Sequence, residues 1–123
     1  MHKEKEMKFE IDFYKKDNGD CPIIEFLDSL DLKMRAKVLR SIELLENNGN
    51  GLGMPYSEHL SDGIFELRTI LGKNITRVLY FFVVGQKIIL TNGFVKKTQK
   101  TPPQEIETAK KYRELYMNKM KGE

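Results

Sequence analysis

In "KFEIDFY" (8–14), Phe9, Ile11 and Phe13 alternate with polar neighbours, the two-residue period of a half-buried strand. "DNGDCP" then breaks the pattern. "PIIEFLDSL" opens with Pro22 in a favoured first-turn position and predicts a short helix. Asp31 is placed to cap a second helix, whose Val38, Leu39, Ile42 and Leu45 fall on one face. "NNGNGLG" ends that helix, with Gly49 where left-handed backbone is needed. Three strands follow: "IFELRTIL" (64–71), "ITRVLYFFVV" (75–84) and "KIILTNGFV" (87–95). The links "GKN" and "GQ" are hairpin signals, and connections so short require antiparallel neighbours. Thr101 has the chemistry of an N-cap for a last helix, with Pro102 at its first position and Gln104 completing a capping box.

The order β-α-α-β-β-β-α predicts an α+β fold, an antiparallel sheet with helices on one face. A length of 123 residues without repeat, linker or low-complexity segment implies a single domain spanning 1–123. Apolar content of 40% and charged content of 32% fit a globular protein rather than a disordered one. No apolar run is long enough to span a membrane, and "MHKEKEMKFEIDF" lacks the apolar stretch of a signal peptide. Cys21 is the single cysteine, which excludes an internal disulfide and a multi-cysteine metal site. These features predict a cytoplasmic protein without membrane contact.

Charge changes the picture. Of 21 Lys/Arg and 18 Asp/Glu, residues 92–121 hold eight and three, so the basic character is local to the C-terminal quarter. A solvated face and an anion-binding surface both fit that asymmetry. Register brings in distant residues. A turn on Gly72 and Lys73 places Arg68 directly opposite Arg77, with side-chain bases about 5 Å apart. Like charges so placed repel unless an anion lies between them, and both Glu66 and a bound phosphate suit that position. These arginines are expected to face away from the helices. A turn on Gly85 and Gln86 sets Arg77 opposite Phe94 and brings Lys96 to the same face. A bulge at Asn92-Gly93 would bring Lys97 there instead.

Other candidates are weaker. The chain has no Walker-type glycine loop, no His/Cys metal-ligand spacing and no serine–histidine motif, and neither metal nor cofactor is expected. His2 is terminal. Glu58 and His59, in a loop before the arginine strand, are reserves for proton transfer. Tyr80, Phe81 and Phe82 read as core.

"DGIFELR", "RVLYFF" and "GFVKKTQKTPPQEIE", in this order and spacing, resemble the HigB-type branch of the RelE/ParE toxin superfamily. The resemblance covers nearly the whole chain. It implies a type II toxin: a ribosome-dependent mRNA endonuclease held inactive by a cognate helix-turn-helix antitoxin of HigA type. Its partners would be that antitoxin, the ribosome and mRNA. The positions it transfers are Arg68, Arg77 and the pair Lys96–Lys97. Where RelE-type enzymes carry lysines on the first hairpin strand, this chain has Ile64 and Glu66, and their catalytic tyrosine has no counterpart near Pro102 and Pro103. For metal-independent RNA cleavage, Arg68 and Arg77 would clamp phosphate, with Lys100 adding RNA contact. Lys96 or Lys97 would protonate the leaving oxygen, and Glu66 would act as base or orient Arg68. A ParE-like gyrase inhibitor and a non-catalytic RNA-binding module would use the same basic surface for contact alone.

Overall fold

A computed structural model describes residues 8–122; His2 lies outside them. Strand β1 (Glu10–Phe13) leads to helices α1 (Pro22–Ser29) and α2 (Leu32–Asn48). Strands β2 (Ser57–Ser61), β3 (Ile64–Leu71), β4 (Asn74–Val83) and β5 (Lys87–Val95) follow, and α3 (Pro103–Lys121) closes the chain. The fold is α+β, as expected, with one five-stranded sheet in the order β1-β5-β4-β3-β2.

Local signals shape the elements. Pro22 occupies the first turn of α1, and the Asp31 carboxylate accepts the Met34 N–H at 2.9 Å to start α2. Gly49 ends α2 with φ of +53°; a Cβ there would also lie 2.0 Å from the Phe9 ring. Gly93 plays a related part on β5, where a side chain would strike Phe26 of α1 at 2.4 Å.

Two features depart from an antiparallel sheet covered on one face. First, β1 pairs with β5 in parallel, Glu10 beside Lys87 and Phe13 beside Leu90, so the sheet is mixed. Second, helices cover both faces. The α1–α2 side encloses Ile23, Val38 and Leu45 with Leu67, Val78, Tyr80, Ile88 and Leu90 of the sheet. The α3 side encloses Ala109 and Tyr116 with Ile64, Leu79, Phe81 and Ile89. The reason lies in the unbroken runs Val78–Phe82 and Ile88–Leu90. Alternation sends their side chains both ways, so each face requires cover. Leu39, placed with the buried stripe of α2 by spacing, is 47% exposed instead.

β2 is a strand where a loop was expected, short and polar at the sheet edge, with Glu58 opposite Glu66 and His59 opposite Phe65. The last helix also starts differently. Pro102 is its N-cap with no side-chain cap bond, which leaves the Thr101 hydroxyl for another partner. The first turn of α3 is tied to β5 by the Asn92 amide, which donates to the Glu105 carbonyl at 3.2 Å and to its carboxylate at 3.0 Å.

Candidate functional site

Arg68 and Arg77 are directly opposite, as the turn at Gly72-Lys73 requires. The Arg68 backbone N–H donates outward to Tyr56 O at 2.8 Å, away from β4. The two arginines therefore form a non-hydrogen-bonded pair, the arrangement that brings facing side chains closest. Two carboxylates relieve the repulsion. Glu66 sends Oε2 to within 3.1 Å of Arg68 Nε and 3.3 Å of Arg77 Nε. The contact to Arg68 is a hydrogen bond, whereas that to Arg77 is an ion pair without hydrogen-bond alignment. Arg77 Nη1 donates to Thr76 O at 3.1 Å. On the outer side, Arg68 Nη2 pairs with Glu58 Oε1. Glu58, Arg68, Glu66 and Arg77 thus form one chain of alternating charge across three strands.

The inner half of that chain is buried and the outer half is not. Glu66 and Arg77 are 2% and 5% exposed, whereas the side chains of Arg68 and Glu58 are 22% and 47% exposed. The expectation that both arginines stand clear of the helices is thereby corrected: their face of the sheet is the one α3 covers, and Arg77 lies inside it. Burial lowers the Arg77 pKa and Arg68 adds to that, while Glu66 and Glu58 oppose it. An arginine starts so high that it stays charged.

The loop after β5 supplies the remaining parts. Thr101 Oγ1 donates to the second oxygen of Glu66, Oε1, so this carboxylate is held from three directions. Lys96 continues the β5 ladder by donating its N–H to Ile75 O at 2.8 Å, and it is half-buried. Its Nζ donates to Gln99 O and so folds the loop back on itself. Burial pushes the Lys96 pKa down; Arg77 and Arg68 push the same way, against Glu66 and Glu58. Lys96 therefore feels every charge of the strip.

The structure separates the other candidates. Lys97 and Lys100 are exposed, unlike the half-buried Lys96, and both lie past the end of β5. His59 does not join Glu58. It shares the α1–α2 side with Phe65, edge-on to that ring at 5.0 Å, and its Nε2 accepts the Gly63 N–H at 3.1 Å. Thr101 escaped the sequence reading because its place before a helix suggested a cap. No local pattern ties it to Glu66, 35 residues earlier.

A family model described as "Phage derived protein Gp49-like" matches residues 25–114, most of the chain and all of the charged strip. The chain belongs to the Gp49-like family. The Gp49-like family is a toxin-like family of toxin–antitoxin systems, which implies an antitoxin as partner for this chain. No curated protein matches the chain. Among the described residues, no helix of this Gp49-like protein is long and apolar enough to cross a membrane.

Proposed function

We propose that this chain is a HigB-like toxin that cuts mRNA on the ribosome and is silenced by a HigA-like helix-turn-helix antitoxin. One observation carries the reading. A buried carboxylate, Glu66, fixes two arginines side by side at the edge of a lysine loop, and the outer arginine is partly exposed. A plain solvated surface has no need of such a buried, oriented set of charges.

In this mechanism the 2′-oxygen attacks its own phosphate: the O2′–P bond forms and the P–O5′ bond breaks. The products are a 2′,3′-cyclic phosphate and a 5′-hydroxyl. Two protons move, and negative charge builds on the phosphoryl oxygens. Arg68 meets that charge, since its guanidinium can present two parallel N–H groups to a phosphate. The incoming phosphate displaces Glu58, an exchange made easy because a partly exposed ion pair is worth only about 0–1 kcal/mol. Glu58 is then free to accept the 2′-hydroxyl proton. Lys96 donates to the leaving O5′, a role favoured by its lowered pKa, because a proton donor works best when its pKa approaches the working pH. Arg77 and Glu66 act from beneath: Arg77 adds field, and Glu66 holds both arginines in register. Lys97 and Lys100 contact the RNA backbone from the exposed loop.

Expression of this chain alone should arrest growth and truncate mRNAs, and co-expression of the antitoxin should reverse both. DNA damage with intact mRNA would select gyrase inhibition instead, and RNA bound but uncut would select a binding module.

A further inference from the structure

A groove of about 470 Å³ runs between α2 and the outer edge of β3. Its size lies within the roughly 300–1,000 Å³ usual for ligand clefts. Leu44, Tyr56 and Ile70 line it and are 39%, 48% and 51% exposed, so its apolar lining is open. Lys37, Arg40 and Arg68 also line it, against the single acid Glu43. The floor is an open strand edge. β2 ends its pairing with β3 at Ser57 opposite Leu67, and Tyr56 O takes the Arg68 N–H. Beyond that point, among the described residues, no strand lies on the outer side of β3. Ladder alternation turns the N–H and C=O of Ile70 the same way as those of Arg68, into the groove.

We infer that this groove seats an extended, acidic segment of the antitoxin, anchored by apolar side chains on Leu44, Tyr56 and Ile70. Three features select that occupant. The open edge of β3 pairs with extended backbone, which supplies main-chain hydrogen bonds. The apolar patch takes alternate side chains of such a segment. The cationic rim matches carboxylates and disfavours basic segments. RNA would match the cations, but it would leave the apolar patch and the strand edge unused.

Regulation follows from one shared residue. Arg68 lines the groove and also forms the outer guanidinium of the charged strip. A carboxylate brought along the groove to Arg68 competes with an incoming phosphate for the same N–H groups. This consequence rests on the nuclease reading above; the docking itself does not.

The test uses the full chain and the product of the adjacent open reading frame. Lys37 and Arg40 are exposed on α2 and have no part in the proposed chemistry. Lys37→Glu/Arg40→Glu and, separately, Leu44→Asp should fold as the parent does by circular dichroism. Calorimetry should show antitoxin affinity reduced about 100-fold for each, with the charge-reversal variant losing less at high salt. Cleavage by either variant alone should match the parent, and added antitoxin should no longer suppress it. Equal antitoxin affinity for parent and variants overturns the inference, as does a parent that fails to bind the antitoxin. Loss of RNA affinity with antitoxin affinity kept also overturns it, and would assign the groove to RNA. If the parent cleaves no RNA yet the variants lose the antitoxin, the nuclease reading fails and the docking site stands.

Discussion

Glu66→Gln removes the one charge that lies between two facing arginines, and its cost can be worked from the geometry. Contacts of 3.1 and 3.3 Å correspond to a gross attraction of about 5 kcal/mol each at an effective dielectric near 20. The desolvation of Glu66 and Arg77 offsets much of this. Removing one member of a buried pair nonetheless leaves the other uncompensated, which costs about 3–5 kcal/mol. Glutamine can keep its one carbonyl oxygen on Arg68 while its NH2 donates to the Thr101 hydroxyl, so the lower end applies, about 3 kcal/mol. For a domain of this size that is a fall in Tm of about 10 °C. The double variant Glu66→Gln/Arg77→Met removes the stranded charge as well and should recover about 2 kcal/mol relative to additivity. Urea and thermal unfolding of the parent, both single variants and the double variant complete the cycle. Losses below about 1 kcal/mol with an additive double variant would refute the claim that this buried carboxylate holds the arginines.

Arg68→Ala should separate folding from activity. Its side chain is partly exposed, so stability should fall by no more than about 1 kcal/mol while cleavage falls about 100- to 1000-fold; unfolding and cleavage are measured on one preparation. Lys96→Ala should impair turnover far more than Lys97→Ala, because Lys96 is half-buried beside the charged strip whereas Lys97 is exposed. If Lys96 is the proton donor, activity should decline with rising pH below the ordinary lysine range, and that limb should vanish in Lys96→Arg. The same shift has a stability sign. A lysine whose folded pKa is lowered binds fewer protons folded than unfolded, so stability rises with pH across that window, and Lys96→Met should flatten the rise in urea titrations. Thr101→Val should lower turnover without changing RNA affinity and Thr101→Ser should restore it, since Thr101 acts only by orienting Glu66.

What could be read from sequence was whatever short turns and caps dictate. The Gly72-Lys73 turn alone set Arg68 against Arg77. The pairing of Arg77 with Phe94 was also correct, but through two departures that cancel. The second hairpin has Val83 opposite Lys87, a three-residue loop rather than a two-residue one. A bulge of Thr91 and Asn92 against Leu79 then restores the register, with the Thr91 hydroxyl donating to Leu79 O at 3.1 Å. Features set by distant parts of the chain were not legible. The parallel docking of β1 on β5 leaves no local mark, and neither does the link from Thr101 to Glu66. The second covered face did leave one, in the unbroken apolar run of β4.

The most direct test of the central claim is the chemistry of RNA ends in a reconstituted translation reaction. Purified toxin is added to ribosomes paused on a defined mRNA, and the fragments are mapped and their termini identified. Cuts within the ribosome-bound codon, with 2′,3′-cyclic phosphate and 5′-hydroxyl ends that disappear with Arg68→Ala, are the predicted result. Intact mRNA with folded parent protein, or cleavage unchanged in folded Arg68→Ala, would contradict it.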